Sequence, residues 1–357
     1  MPEVDLFLIR PSDTLRRAAE TIDRNRCGIA LIVDEGRRLL GTVTDGDLRR
    51  AMLRSVSLDS PAALLLDLRK QAGLADPVTA QFGAGREALL ELMQRHRIRQ
   101  VPIVGDDGQV VDVAVLDELV GSRALPITAL VMAGGFGTRL RPLTDSVPKP
   151  LLPIGGKPLI ETLVERLQRD GIRKITVATH YRAEQIAAQL GDGQDRGVEI
   201  HYVREDTPLG TAGVLSLLDA TSDPLLVVNG DVLTNLDYVA LYAFHREHEA
   251  DMTVAVREYT VAVPFGVVAT DGALVANLHE KPEYRFFVVA GVYLLGPSVR
   301  ELLPATGQAY DMPFLINRLL EAHRRVASFP VREYWLDIGR LEDYERAQAD
   351  LDSGRFQ

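Results

Sequence analysis

An apolar run, Leu130-Val131-Met132, leads directly into Gly134-Gly135-Phe136-Gly137, and Arg139 and Lys149 follow among Pro142, Pro148 and Pro150. A nearly continuous apolar run, as 127–132 is with only Thr128 polar, reads as a strand buried on both faces. Strands of that kind belong to mostly parallel sheets covered by helices on both sides, and ligands of such sheets sit at the carboxyl ends of the strands. Glycines there let backbone N–H groups approach a phosphate closely. Arg139 can fork onto phosphate oxygens, and Lys149 supplies a point charge. A phosphate-rich ligand is the reading this combination favours over a plain glycine-rich connection. The stretch is not a Walker loop, because no Gly-Lys-Ser/Thr follows. It is not a dinucleotide fingerprint either, because Leu140 stands where the third glycine belongs.

The pattern after it alternates. Leu159, Ile160, Leu163, Val164 and Leu167 lie on one helical face of 158–170, and Gly171 suits the helix end. Strand-like 174–179, helical 183–190, strand-like 198–203, helical Leu215 and strand-like 225–229 follow. This order predicts an α/β fold with a mostly parallel, Rossmann-like sheet. Net charge is −10, without a dense basic tract, so no nucleic acid and no anionic membrane is expected as partner. Phosphate must therefore be neutralised locally, by placed cations or a metal. One cysteine, Cys27, rules out an intrachain disulfide and fits a reducing compartment. No run approaches the roughly 20 apolar residues that span a bilayer, and no signal-peptide pattern opens the chain. A cytoplasmic protein is expected. His245 and His248 sit among acidic residues and read as a solvated helix face rather than a zinc site.

Residues 1–123 differ from the rest. Two segments align at a constant offset, each reading helix, strand, turn, strand, helix. In the first, the strands 30–34 and 39–44 flank Asp34-Glu35-Gly36; in the second, 101–104 and 110–115 flank Asp106-Asp107-Gly108. These are hairpin signals. A repeated unit too small to bury its own face implies pairing of the copies. The first copy's Gly41-Thr42-Val43-Thr44-Asp45-Gly46-Asp47-Leu48 resembles the end of a cystathionine-β-synthase-type (CBS) repeat. The resemblance implies a small α+β regulatory module that binds an adenine nucleotide, with Thr44 toward phosphate and Asp47 toward ribose. A hydroxyl donor and a carboxylate acceptor suit those groups. The second copy has Val115 and Glu118 at these positions, so a second equivalent site is not expected. The alternative role is an oligomerisation scaffold. Residues 121–126 read as the linker to a second domain, 127–357.

The motif Leu130, Met132-Ala133-Gly134-Gly135, Gly137-Thr138-Arg139-Leu140, Pro142-Leu143-Thr144 and Pro148-Lys149-Pro150 is long and specific. It resembles the signature of the sugar-1-phosphate nucleotidyltransferases. Further matches run in the family's order to about residue 346. Pro208-Leu209-Gly210-Thr211-Ala212-Gly213 resembles the base-binding turn. Asn229-Gly230-Asp231 resembles the end of the strand that carries a metal-binding aspartate. Glu280-Lys281-Pro282 resembles the sugar-phosphate motif, and Ala290-Gly291-Val292-Tyr293 the strand whose glycine faces the sugar. Trp335-Leu336-Asp337-Ile338-Gly339 resembles the second metal site. The resemblance implies nucleotidyl transfer from a nucleoside triphosphate to a sugar-1-phosphate. Arg139, Lys149, Asp231 and Lys281 are the implied catalytic residues. Ala133 to Thr138, Gly210 and Thr211 would hold the nucleotide, and Glu280, Lys281 and Gly291 the sugar phosphate. Asp231 and Asp337 would hold Mg²⁺.

Base choice turns on Glu205, where uridylyl and thymidylyl relatives commonly carry glutamine. A carboxylate only accepts hydrogen bonds, and guanine offers two adjacent donors. Uracil would set a carbonyl against it, at a cost of about 1–3 kcal/mol. GTP is therefore favoured, and glutamate at this position also occurs in the guanylyl branch. Of the sugars, mannose-1-phosphate is the commonest guanylyl acceptor. The CBS-plus-transferase arrangement resembles enzymes that make GDP-glucosamine, which tips the reading narrowly to glucosamine-1-phosphate. No left-handed β-helix repeat follows the catalytic region, so bifunctional acetyltransferase and ADP-glucose-type relatives are not expected. The alternatives are a uridylyl- or thymidylyltransferase and a catalytically silent nucleotide sensor. A homo-oligomer is expected.

Overall fold

The structure is a computed structural model that describes residues 4–71, 77–116, 119, 124–219 and 221–356. Glu118 and residues 121–123 of the expected linker lie outside the described residues.

The two N-terminal copies share one plan. In the first, α1 (Leu15–Asn25) starts where the Thr14 hydroxyl accepts the Arg17 N–H and ends at Arg26 in the left-handed region. Strands β1 (Ile29–Val33) and β2 (Leu39–Thr44) pair antiparallel, and α2 (Asp45–Leu53) follows. In the second, α3 (Arg86–His96) ends at left-handed Arg97, and β3 (Gln100–Val104) pairs with β4 (Val110–Val115). Both hairpins slip register at the same place, Ile32/Val33 and Ile103/Val104. Each copy has a small core of its own, and a third core is shared between them. Phe7, Ile29, Leu31 and Val33 of one pack with Val110, Val113 and Val115 of the other. The hairpins also exchange backbone bonds, from Leu39 N–H to the Gly108 carbonyl and from Val110 N–H to the Arg37 carbonyl.

The remainder is built on a seven-stranded sheet. Its strands are β5 (Thr128–Met132), β6 (Lys174–Thr179), β7 (Glu199–Arg204), β8 (Leu225–Asn229), β10 (Met252–Ala262), β11 (Glu283–Leu295) and β12 (Val326–Pro330); β9 (Val232–Thr234) lies outside it. The order is β7-β6-β5-β8-β11-β10-β12. Only β11 runs antiparallel to its neighbours, so the sheet is mostly parallel as expected. β5, apolar after Thr128, serves both faces. Ala129 and Val131 join the core with Ile160, Leu163 and Leu167 of α4 (Leu159–Arg169); Leu130 joins the other core with Leu315 and Leu319 of α7 (Met312–Glu321). Each such side chain contributes about 1.5–3 kcal/mol. Helices α5 (Ala183–Leu190) and α6 (Tyr238–Glu247) add to the first face.

At the end of α4, Asp170 accepts the Tyr238 N–H at 3.0 Å. Burial first, then the neighbouring Asp237 carboxylate, pushes its carboxyl up to about 7. The histidine expectation needs correcting. His245 is buried on the inner face of α6, with Nδ1 2.8 Å from the Thr253 hydroxyl, and burial pushes its pKa down. His248 stacks on Phe244, ring centroids 4.0 Å apart. His245 therefore faces inward rather than solvent, whereas His248 is exposed. Among the described residues no group of three or more His, Cys, Asp or Glu could hold a metal, and no helix is long and apolar enough to cross a membrane.

Candidate active site

Four chain segments meet at the carboxyl ends of β5 and β8. Beyond β5, the Ala133 N–H donates to the Ala178 carbonyl at 2.8 Å, and the chain then opens into the glycine loop. Gly137 is left-handed, φ 63°, and a Cβ there would stand 2.9 Å from Thr144 and 3.1 Å from Lys149. Only glycine fits the turn. The Thr144 hydroxyl clasps it by donating to the Gly137 carbonyl at 2.8 Å. Gly135 and Thr138 are exposed, and Thr138 opens the 3-10 turn that carries exposed Arg139. Phe136 leans on His180 and Tyr181, with ring centroids 5.3 and 5.6 Å away.

Beyond β8, Asn229-Gly230-Asp231 turns back beside the loop, with the Gly230 N–H donating to the Met132 carbonyl at 2.9 Å. β9 then pairs antiparallel with β13 (Trp335–Asp337), Val232 opposite Asp337. The Ile338 N–H reaches the Asp231 carbonyl at 3.0 Å. Asp231 and Asp337, 106 positions apart in sequence, thus become neighbours. Lys149 is nearly buried, and its ammonium stands 2.6 Å from the Asp231 carboxylate. The cleft shields Asp337 from much of its water, and with Asp231 alongside its carboxyl is pushed up; Lys149 and Arg139 oppose this. Two neighbouring carboxylates beside the glycine loop are oxygen donors of the kind a hard divalent cation takes. Water and phosphate oxygens would complete its shell.

Glu205 does not face solvent. It is 5% exposed, and one carboxylate oxygen accepts the Leu209 N–H at 2.8 Å. The other would lie 3.1 Å from a Cβ on Gly134, so Glu205 forms the wall of the glycine loop. The turn at Gly210 and Thr211 is tied to α7: the Thr211 hydroxyl accepts the Met312 N–H at 2.8 Å, and the Thr211 N–H donates to Asp311 at 3.1 Å. Gly291, φ 72°, presses on Asn229, whose Nδ2 would be 2.8 Å from any Cβ there. The Asn229 Oδ1 is buried without a hydrogen-bond partner.

Glu280 and Lys281 lie apart. Beyond Val256, β10 and β11 leave the core as an exposed ribbon, extended by the hairpin of Val267–Asp271 and Leu274–His279. Both residues are exposed on it, Lys281 with φ 45°. Among the described residues neither makes a hydrogen bond or ion pair with Asp231, Asp337 or Lys149. Sequence reasoning missed Thr144, Asn229 and the Phe136–His180 wall. Thr144 stood inside the quoted motif, and Asn229 beside Asp231.

In the N-terminal half, Thr44 and Asp47 form the capping box of α2. The Thr44 hydroxyl donates to Asp47 at 2.7 Å, and the Asp47 N–H donates back at 3.3 Å. They open onto a cavity of about 1760 Å³. Its wall includes Arg97 and Arg99 from the second copy and Arg166, Arg169 and Asp170 from α4 and its end.

The pattern of the family described as nucleotidyl transferase matches residues 128–354, and the CBS-domain pattern matches 2–54 and 74–122. A mannose-1-phosphate guanylyltransferase of Mycobacterium tuberculosis is 34% identical over 236 residues, 64% of this chain and 65% of that protein. The catalytic subunit beta of mannose-1-phosphate guanylyltransferase from Drosophila pseudoobscura pseudoobscura is 34% identical over 224 residues, 60% of each chain. The chain thus spans less than two thirds of the length of these relatives. A solved structure from Bacillus anthracis, described as a glucose-1-phosphate thymidylyltransferase in complex with a sucrose, is 26% identical. It aligns with a TM-score of 0.52 over 62% of this chain and 94% of its own.

Proposed function

Since this chain belongs to the nucleotidyl transferase family, we propose that it transfers GMP from GTP to a hexose-1-phosphate, giving a GDP-sugar and pyrophosphate. The convergence of Asp231, Asp337 and Lys149 beside the glycine loop is the observation that carries this reading. In the reaction, an oxygen of the sugar phosphate attacks the α-phosphorus of GTP in line. The new P–O bond forms as the bond to the β-phosphate bridging oxygen breaks, and pyrophosphate leaves with that electron pair. The attacking oxygen is already anionic, so no general base is needed, and catalysis rests on positioning and charge. Backbone N–H groups from Gly134 to Thr138, with Arg139, hold the triphosphate. Lys149 reduces repulsion between the two phosphates, Lys281 meets the sugar phosphate, and Glu280 accepts from a sugar hydroxyl. The family generally uses a divalent metal; Mg²⁺ held by Asp231 and Asp337 would supply charge neutralisation on phosphate oxygens.

The buried, acceptor-only carboxylate of Glu205 favours guanine, as do the relatives' names. Those names also favour mannose-1-phosphate over glucosamine-1-phosphate. The preference for glucosamine rested on an attached module, whereas the sugar is chosen by pocket side chains, so mannose-1-phosphate is the acceptor proposed. An adenine nucleotide at Thr44 and Asp47 is the proposed regulatory ligand. A homo-oligomer is also proposed, supported by apolar side chains such as Phe265 and Leu274 on the ribbon. Detection of monomer alone by sedimentation velocity contradicts it.

The test is pyrophosphate release from GTP, UTP, dTTP, CTP and ATP against mannose-, glucosamine- and glucose-1-phosphate. GTP with mannose-1-phosphate should give the highest kcat/KM, and Glu205→Gln should lower the GTP/UTP ratio. A ratio unchanged in that variant removes Glu205 from base reading. A best rate with UTP or dTTP overturns the guanylyl reading, and no release from any pair leaves a silent sensor.

A further inference from the structure

An arginine from the first N-terminal copy is sealed inside the junction with the catalytic half. Arg49, on α2, is 0% exposed, and its guanidinium lies 3.6 Å over the Phe329 ring. Its Nε donates to Asp45 on its own helix. Its Nη1 donates to the Pro330 carbonyl, and its Nη2 to Glu333 at 2.7 Å. Arg332 completes the cluster from the other side. It donates from Nε to Asp45 and from Nη1 to Asp23 at 2.6 Å, and its backbone N–H donates to Glu333 at 3.0 Å. Asp45 is shared: burial works against its charge, but the two guanidinium groups outweigh this and hold its carboxyl low. Charges taken this far from water hold only as a complete set.

Two partners of Arg49, Pro330 and Glu333, lie at the end of β12 and within 331–334, the segment joining β12 to β13. Three residues separate Glu333 from Asp337. The same segment is pinned from within the catalytic half, where the Arg257 guanidinium donates to the Val331 and Glu333 carbonyls at 3.2 and 3.0 Å. The Trp335 indole then donates to the Ala290 carbonyl at 2.8 Å, and Asp337 comes to lie opposite Val232.

We propose that Arg49 is a positioning residue for the catalytic centre. By holding Pro330 and Glu333 it fixes the approach to β13, and so the placing of Asp337 against Asp231. The N-terminal copy is in this sense part of the metal-binding apparatus. The proposal rests on reading Asp231 and Asp337 as the metal pair. It also gives the regulatory site a route to the chemistry, because α2 begins at Thr44 and carries Asp47, Asp45 and Arg49 in its first turns.

The experiment uses the full chain, with Mn²⁺ as probe and free Mn²⁺ read by electron paramagnetic resonance, without substrates or turnover. Unfolding midpoints are taken in parallel. The wild type should bind Mn²⁺ and Asp337→Asn should not. Given that, Glu333→Gln, which keeps the side chain's shape, and Arg49→Lys, which keeps the charge but not the fork, should each weaken Mn²⁺ binding about tenfold, as removal of an outer support does. Glu247→Gln cuts only the exposed Arg50–Glu247 pair across the same junction and should leave the affinity unchanged. Wild-type affinity in folded Glu333→Gln and Arg49→Lys overturns the proposal. So does an equal loss in Glu247→Gln, which would mean that any loosening of the junction suffices. Should Asp337→Asn bind Mn²⁺ as the wild type does, the metal-pair reading itself fails and takes this inference with it.

Discussion

The two N-terminal copies have the same helix length, the same hairpin and the same register slip, yet they face different work. The first has Thr44, Asp45 and Arg49; the second has Val115, Leu116 and Val120 at the aligned positions. The side chains that build the capping box and the buried ion cluster are therefore missing from the second copy by sequence. Among the described residues, the ion pairs that cross to the catalytic half, from Arg49, Arg50, Asp23 and Asp45, all start from the first copy. The apolar residues that the copies share preserve the scaffold, and polar chemistry was free to settle on one of them. A repeat in sequence thus predicts shared packing far better than shared function.

The sharpest way to break this contrast is to remove one arginine from each copy. Arg49→Met leaves Asp45 and Glu333 short of a buried cation, and should cost about 3–5 kcal/mol. Arg86→Met removes an exposed bond to the Leu119 carbonyl and should stay within about 0.5 kcal/mol. Urea unfolding measures both, and equal losses would erase the asymmetry. Ligand binding comes next in size. Calorimetry with AMP, ADP and ATP should give one site per chain. Asp47→Ala should weaken it by roughly tenfold or more, the worth of a hydrogen bond to a charged group. Val115→Thr restores a hydroxyl to the second copy, but the aligned carboxylate there is the longer Glu118 rather than an aspartate, and the stoichiometry should stay at one. Two equal sites in the wild type would contradict the contrast.

The smallest effect concerns the catalytic wall of the shared cavity. Asp170 keeps its proton in the folded chain up to about pH 7, while the unfolded chain loses it near the ordinary carboxylate value. The folded state binds more protons in that window, so this group lowers stability as pH rises through it. Asp170→Asn mimics the protonated form and can still accept the Tyr238 N–H. Its unfolding midpoint should exceed the wild type's by a few degrees at pH 8, and the gain should shrink toward pH 5. A pH-independent difference would show that Asp170 is ionised throughout.

Much of this architecture was legible in sequence because it depends on local patterns. The apolar 127–132 declared a strand buried on both faces, and it alternates between two cores. Gly137 and Lys149 were legible as parts of one loop, and the structure sets them against each other; its role toward phosphate is the one proposed above. What depends on distant partners was not legible. Arg49 and Glu333 are 284 positions apart, and nothing in the period of α2 marks Arg49 as buried. His245 misled for the same reason: the charged residues around it suggested solvent, while Thr253 on a neighbouring strand supplied a buried partner. Glu280 and Lys281 were legible as a motif, but their distance from the cleft is set by the ribbon's pose, which no local pattern encodes.

The central claim is that Asp231 and Asp337, brought together by the β9–β13 pairing, run guanylyl transfer. The direct measurement is the rate of pyrophosphate release from GTP and mannose-1-phosphate by the wild type and by Asp337→Asn, at saturating substrates and Mg²⁺. The account predicts GDP-mannose formed one for one with pyrophosphate by the wild type. It predicts at least about a hundredfold lower kcat in the variant, as loss of one transition-state charge contact typically costs, with an unfolding midpoint that has not fallen. Comparable turnover by a folded Asp337→Asn would contradict it.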